Sequence, residues 1–376
     1  MKVLFIDPES KLGGAQYSMV DIIKNMPTNK VIYSCAIKGK GELSVALTEA
    51  GANSIYFMPF ESWRWWETGF KNRLKLILSI PIQMINVLKW YIFFKKNKPD
   101  IIHFNLSRII EPIFAAKLIG IPSVIHYREV AATNNSFFGG LPALFKILKL
   151  VKYWIANSNA TKKHIKKYAS IYTNIRIINN GIDISKYKKQ KTENCNNVFI
   201  VAKIAGLVPW KNHKLYFELI KLVLNKNRNI KFLVVGKGNF AYTNELKKTA
   251  KKMGISDNLE FKGFVNDIPS LLRKINLLVH TSANESFGRV YVEAMAAGKP
   301  VLAIKGFVED EVIGIEEGGF TFEKDQLEEM ADKICNLINN PSLCLEIGLK
   351  GSKRAERLYS IDALTNNIYN FYNKIL

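Results

Sequence analysis

The side chains in this chain best placed to do chemistry are two carboxylates, Glu285 and Glu293, in the stretch Glu285-Ser-Phe-Gly-Arg-Val-Tyr-Val-Glu293. The apolar run Ile275 to Val279 precedes them and reads as a buried parallel strand. Val290, Val292, Ala294, Met295, Ala296 and Ala297 follow as a helix rich in small residues, closed by Gly298 before Pro300 opens the next apolar segment. A strand, a short polar loop and a helix start make the place where open α/β sheets bind ligands. Backbone N–H groups around Ser286 to Arg289 sit at the positive end of that helix without intrahelical acceptors, so they suit a phosphate or sugar oxygen. A carboxylate beside a phosphate is unfavourable unless it is aimed at hydroxyls; a sugar-bearing ligand therefore accounts for both acids better than a bare phosphate.

The elements that must position these groups follow from the alternation of apolar runs. Val3 to Ile6 is a strand, and Gly13-Gly14-Ala15-Gln16 opens a helix with Met19, Ile22, Ile23 and Met26 at helical spacing. Glycines at such a turn let a ligand approach the backbone closely. Strands at Val31 to Ile37, Ser54 to Met58, Asp100 to Phe104, Ser123 to His126, Trp154 to Asn157 and Ile175 to Ile178 alternate with helical segments, which predicts a parallel sheet with crossover helices. His126 then falls at the carboxyl edge of that sheet, where a lone histidine is more often structural than catalytic. Ser185 to Asn197 is polar and reads as a linker. Alternation resumes at Val198 to Lys203; Lys211 then leads into a helix with Leu215, Phe217, Leu219, Ile220 and Leu222, and Phe232 to Val235 runs into Gly236-Lys237-Gly238. Residues 325 to 357 read as helical and Ile361 to Ile375 as a last amphipathic helix. The expectation is two α/β domains, 1–185 and 186–358, with a terminal helix in 359–376.

At 376 residues and 48% apolar, the chain has material for two cores and no signature of disorder. Its net charge of +22 is uneven: 25 basic and 11 acidic residues up to position 185 give +14. Such a surface seeks an anionic partner. No RNA-binding aromatic signature, zinc finger or DNA-reading motif accompanies the charge, which favours a membrane and a pyrophosphate over nucleic acid. Trp63, Arg64, Trp65 and Trp66 suit a membrane interface, and Lys71, Arg73, Lys75, Lys89, Lys95, Lys96 and Lys98 follow in a helical stretch that Pro81 divides in two. That stretch reads equally as a helix packed on the sheet with a solvated basic face. The start lacks a signal-peptide pattern and no run of about 18 uninterrupted apolar residues occurs. Four cysteines and five histidines show no metal-ligand spacing, and Asp-x-Asp is absent; no metal and no cofactor are expected.

Glu285 to Glu293, followed by Ala-Met-Ala-Ala-Gly-Lys-Pro-Val, resembles the Glu-x(7)-Glu signature of retaining glycosyltransferases with the GT-B fold, in particular family 4. That resemblance implies two Rossmann-like domains facing a central cleft, with a C-terminal helix crossing back to the first domain. It makes the Gly13-Gly14 loop similar to one facing the donor diphosphate, and Lys262 to Asp267, with Val265, similar to the loop that reads the nucleotide base through its backbone. Asn157-Ser158-Asn159-Ala160 and Asn180-Gly181-Ile182-Asp183 fit the same pattern, and Gly306 to Glu311 corresponds loosely to a loop near the donor sugar. The family's Arg and Lys clamp the diphosphate: Lys211 matches the lysine, whereas Gly206 stands where the arginine is usual. Half of the clamp is missing, and Arg289, Lys203 and Lys237 are the candidates to compensate.

The resemblance thus implies transfer of a hexose-type sugar, with retention, from a UDP- or GDP-linked donor. His126, Lys211 and Glu285 are the expected catalytic residues, and Gly13, Gly14, Lys211, Gly236, Val265, Glu285, Ser286, Phe287, Gly288, Arg289 and Glu293 the expected donor-binding set. Charge and tryptophans point to a lipid-diphosphate-linked glycan as acceptor, at the cytoplasmic face of an anionic membrane, in bacterial surface-polysaccharide synthesis. Two alternatives stay open on the sequence: a sugar-nucleotide epimerase of the same fold, and a non-catalytic polyanion- or membrane-binding protein on a degenerate transferase scaffold.

Overall fold

The computed structural model describes residues 1–60, 77–128, 140–169, 174–188, 198–282 and 285–376. The tryptophan loop at 63–66, Lys71, Arg73, Lys75, Cys195 and the Ala283-Asn284 pair of the signature lie outside the described residues. The chain forms two compact units, Met1–Gly181 with Ile361–Leu376, and Ile182–Ser360. Ile182 belongs with the second unit because its N–H donates to the Tyr359 carbonyl at 2.9 Å.

In the first unit, β1 (Lys2–Asp7), β2 (Ile32–Ile37), β3 (Ser54–Phe57), β4 (Ile101–Phe104), β5 (Ser123–Tyr127), β6 (Tyr153–Ala156) and β7 (Ile175–Ile177) form a parallel sheet in the order β3-β2-β1-β4-β5-β6-β7. Helices cover both faces, which is why β1 reads as the continuous apolar run Val3-Leu-Phe-Ile6. Its alternate side chains serve two cores. Leu4 and Ile6 join Trp90, Phe94, Phe145 and Trp154 on one face, while Val3 and Phe5 join Met19, Ile22, Ile368 and Tyr372 on the other. The last helix, Ile361–Ile375, is therefore a core element of this unit.

The second unit stacks β8 (Phe199–Ile204), β9 (Ile230–Val235), β10 (Leu259–Gly263), β11 (Leu277–His280), β12 (Val301–Ile304) and β13 (Gly319–Phe322) in the order β10-β9-β8-β11-β12-β13, again parallel. Both edge strands escape a pattern reading: β10 alternates one buried leucine with exposed Glu260 and Lys262, and β13 is four residues that begin with glycine. The expected linker begins instead with a helical turn, Ser185–Lys188, that buries Tyr187. The long C-terminal helical stretch is two helices, Leu327–Asn339 and Pro341–Tyr359, because Pro341 starts a new first turn. Pro81 likewise occupies the first turn of helix Ile80–Asn97.

Strand order reverses between β1 and β4 in one unit and between β8 and β11 in the other. Those two switch points, at the carboxyl ends of the strands, are where such sheets hold ligands.

Candidate active site

At the switch point of the second unit, β8 supplies Lys203, the turn Pro209–Lys211 supplies Lys211, and β11 ends at His280 before Thr281, Ser282 and Glu285. Lys211 Nζ pairs with Glu285 Oε1 and stands 3.9 Å from the centroid of the Trp210 ring. His280 Nε2 lies 3.0 Å from the same carboxylate oxygen. Behind them, Lys203 Nζ donates to Thr281 Oγ1 at 2.8 Å, and that hydroxyl donates to the Asn212 carbonyl at 2.8 Å. One threonine thus ties β8, β11 and the lysine-bearing turn together.

Burial alone would raise the Glu285 carboxyl, but the hydrogen bonds and charges of its basic partners outweigh it and hold the group at about 2. Burial lowers His280 to about 4, so its imidazole is neutral: Nε2 donates to Glu285, and Nδ1 is a buried acceptor without a partner among the described residues. Burial, aided by the charge on Lys203, lowers His213 to about 3, and both of its ring nitrogens are also buried and unpartnered. Lys203 has no exposed surface; burial and the charge of Lys211 bring it down to about 7. With Ser282 Oγ, His280 Nδ1 and both nitrogens of His213 make four buried polar atoms without a partner among the described residues in this part of the second unit. Polar groups left unpaired in a core call for a ligand or water.

The helix Arg289–Ala296 starts at Gly288, whose φ of 72° is left-handed; an added Cβ would lie 2.2 Å from the Tyr291 ring. Tyr291 donates its hydroxyl to Glu309 at 3.1 Å, and burial pushes Glu309 up to about 7. Arg289 Nε donates to Glu293 at 2.9 Å, so that arginine, an expected donor ligand, lies against the second acid of the signature. Phe287 is buried edge-on against Tyr359, with centroids 5.6 Å apart, and Ser286 is half-buried. Gly236 follows β9 with φ 150°, and a Cβ there would lie 2.0 Å from the Ala205 carbonyl oxygen, so two backbones touch beside Gly206. Gly206 itself has room: a Cβ would meet only the Lys237 carbonyl oxygen, at 3.7 Å. Val265 is half-buried in the loop after β10.

In the first unit, Asp7 ends β1, Asn105 follows β4, and β5 carries His126 and leads to Arg128. Arg128 donates to Ser18 at 3.1 Å, to Asn105 at 3.3 Å, to Asn180, and through Nη2 to His126 Nδ1 at 3.0 Å. The arginine cannot accept, so the proton of His126 belongs on Nε2, a buried donor without a partner among the described residues. Burial and the Arg128 charge hold this imidazole neutral. Asn105 and Gln16 donate to Asp7 at 2.6 and 3.0 Å, and burial pushes that carboxyl up to about 6. Gly13 and Gly14 stand where the helix Gly14–Asn25 begins.

Lys211 and Glu285 are therefore in contact, Ser286 to Glu293 continue from them, and Gly13, Gly14 and His126 border the other sheet. Sequence reasoning missed His280, His213 and Arg128, and named Lys203 only as a possible cation. A histidine at a strand end was the available signal for His280, as it was for His126. Among the described residues no cluster of histidine, cysteine or carboxylate side chains is arranged for a metal ion, and no helix is long and apolar enough to cross a membrane.

Paired Rossmann-like sheets with a basic, carboxylate-bearing loop at the second switch point define a glycosyltransferase of the GT-B class. Residues 41–186 match the model for glycosyltransferase family 4, and residues 184–354 that for glycosyl transferases group 1. The chain belongs to glycosyltransferase family 4. It is 30% identical over 207 residues to the poly(ribitol-phosphate) alpha-N-acetylglucosaminyltransferase of Staphylococcus aureus, a match covering 53% of this chain and 40% of that protein. It is 25% identical over 285 residues to the UDP-Gal:alpha-D-GlcNAc-diphosphoundecaprenol alpha-1,3-galactosyltransferase of Escherichia coli, covering 71% of this chain and 73% of the relative. The crystal structure of HepE from Anabaena in complex with UDP and glucose superposes with a TM-score of 0.81 over 99% of each chain, at 23% identity.

Proposed function

We propose that this chain moves a hexose-type sugar, with retention of configuration, from a nucleoside-diphosphate donor to a lipid-diphosphate-linked glycan at the cytoplasmic face of the membrane, in the synthesis of a bacterial surface polysaccharide. The observation that carries the donor half is the Lys211–Glu285–His280 constellation on the strand-to-helix loop at the second switch point. An ionised carboxylate held between a lysine and a neutral histidine is a fixed acceptor for sugar hydroxyls, and the lysine beside it is a cation for phosphate. The acceptor half is supported by the relatives, one named for poly(ribitol-phosphate) and one for a diphosphoundecaprenol-linked sugar, and by the basic charge of the first unit.

In this reading the bond between the sugar's anomeric carbon and the leaving phosphate oxygen breaks, and the acceptor oxygen bonds to that carbon from the same face. The proton of the acceptor hydroxyl passes to the leaving phosphate, so no separate base is needed. Lys211 and the backbone N–H groups of the Gly13-Gly14 and Ser286–Arg289 loops offset the growing negative charge, with Lys203 as the buried cation behind Lys211 where the family's arginine is replaced by Gly206. Glu293 takes ribose hydroxyls, exchanging Arg289 for them, and His126 Nε2 donates to a hydroxyl of the transferred sugar.

Thermal stabilisation by UDP-, GDP-, ADP- and TDP-sugars without added metal tests the donor site, because a ligand that binds only the native state raises its melting temperature. One base should stabilise the protein and Glu293→Ala should abolish the effect. A well-folded protein that no nucleotide stabilises would sink the proposal.

A further inference from the structure

Helix Ile80–Asn97 of the first unit buries two amides and leaves a row of aliphatic side chains outside. Its buried side includes Gln83, Asn86, Trp90 and Phe94, with Gln83 Nε2 donating to Ser79 Oγ at 2.8 Å and Trp90 Nε1 to the Pro59 carbonyl at 3.1 Å. Its outer side shows Ile82, Ile85, Leu88 and Ile92, each more than half exposed, at the spacing of a single helical face. Leu78, just before the helix, is 69% exposed and continues that stripe. The neighbouring helix Glu111–Ile119 also exposes Phe114 and Leu118, the latter 70% exposed. Lone exposed leucines are ordinary; a helix that hides its amides and displays a row of branched aliphatics is not.

The charge around this face says what covers it. Helix Ile80–Asn97 contains no acid, and Lys89, Lys95 and Lys96 are exposed on it, the last two in its final turn. Between residues 68 and 182 the chain carries 18 basic and 3 acidic residues, a net +15 out of the total +22. An apolar stripe ending in lysines fits the boundary between headgroups and acyl chains of an anionic bilayer, where aliphatic side chains enter and ammonium groups stay with the phosphates. A second copy fits less well, since a two-fold contact through this face would offer Lys89, Lys95 and Lys96 no carboxylate from the partner's helix, which contains no acid.

We propose that the outer face of helix Ile80–Asn97 is the surface by which this protein lies on an anionic membrane, with Ile82, Ile85, Leu88 and Ile92 entering the leaflet. This rests on the lipid-linked acceptor proposed above and adds the face that docks. The geometry puts the helix parallel to the bilayer plane, so its grip depends on buried apolar area as well as on charge.

The test is flotation of the full chain with vesicles of phosphatidylcholine, alone or mixed with phosphatidylglycerol, at low and high salt. Wild type should partition to the mixed vesicles. The triple change Ile85→Ser, Leu88→Ser, Ile92→Ser should weaken that partitioning about a hundredfold. Lys89→Ala with Lys95→Ala and Lys96→Ala should weaken it by up to about a hundredfold at low salt, and little at high salt. Nucleotide-sugar stabilisation should be unchanged in both variants, which separates this surface from the donor site. Leu88→Glu gives the same readout with one exposed substitution, should the triple variant fold poorly. Unchanged flotation of the apolar variants would overturn the assignment of the face while leaving a membrane acceptor standing. Wild type that floats with neither vesicle would remove both. A wild-type dimer that the triple change dissociates would assign the face to a second copy instead.

Discussion

Lys203 shows how one residue links stability to charge at the site. It has no exposed surface, and only the Thr281 hydroxyl is at hydrogen-bonding distance from its amine among the bonds described. Burial brings it from the usual 10.5 to about 7. Between those values the unfolded chain holds a proton that the native chain lacks, so stability should rise with pH across that interval and the full cost of the buried ammonium is felt below it. Lys203→Met should therefore raise the melting temperature at pH 6 and flatten the rise in stability above pH 7, each corresponding to about 1–3 kcal/mol. The same change should weaken nucleoside-diphosphate binding about tenfold, because it removes positive potential beside Lys211. Melting curves from pH 6 to 10 with and without UDP check both parts; a variant that keeps the wild-type slope would mean that Lys203 is not the titrating group. Glu285 runs the other way. Its lowered value contributes stability above about 4.5 that is lost as pH falls towards 2.

At the scale of the loop and its helix, two glycines that look alike in sequence separate in the structure. Gly288 has φ 72°, and a Cβ there meets the Tyr291 ring at 2.2 Å; Gly14 has no such φ and nothing within 4 Å of its Cβ. Gly288→Ala should lower stability by about 2 kcal/mol or more, from the strained backbone and the displaced Tyr291–Glu309 contact, and should reduce donor stabilisation. Gly14→Ala should leave stability within about 0.5 kcal/mol and, if the proposed donor diphosphate approaches this turn, still weaken donor binding through its added methyl. Calorimetry with and without nucleotide distinguishes the two; equal destabilisation would refute the assignment. The loop was legible in sequence because its pattern is local: strand, polar turn, Gly288, small-residue helix. The partners of Glu285 were only partly legible. Lys203 reaches Thr281, beside His280, because β8 and β11 are hydrogen-bonded neighbours, with Leu278 opposite Ala202, and a pairing between strands so distant in the chain leaves no periodicity to read. The helix Ile80–Asn97 was legible as a helix packed on the sheet with a solvated basic face, and Lys89, Lys95 and Lys96 are exposed on it. Its register was not legible, because Gln83 and Asn86 share the buried side with Trp90 and Phe94 while Ile82, Ile85, Leu88 and Ile92 face outward.

At the scale of the whole molecule, the chain leaves its first unit at Gly181, builds the second, and returns at Ile361 to finish the first. The returning helix is not an ornament: Ile361, Leu364, Ile368, Phe371, Tyr372 and Ile375 are all buried in one core with Phe5, Met19, Ile22 and Tyr33. The Tyr372 hydroxyl also bonds His103 Nδ1 at 2.6 Å, and the other ring nitrogen of that buried histidine has no partner among the described residues. Fully burying a large apolar side chain contributes about 1.5–3 kcal/mol. Six of them exceed what a domain of about 5–15 kcal/mol total stability can lose. A chain ending at Ser360 should therefore lack the calorimetric transition of the first unit, while the second unit, with its own core around Val201, Phe217 and Phe232, keeps a transition that nucleotide still raises. Flotation should be lost with the first unit, since the basic stretch and helix Ile80–Asn97 both belong to it. A truncated chain with both transitions intact would show that the last helix is peripheral; one in which nucleotide stabilisation disappears as well would show that the donor site depends on more than the second unit.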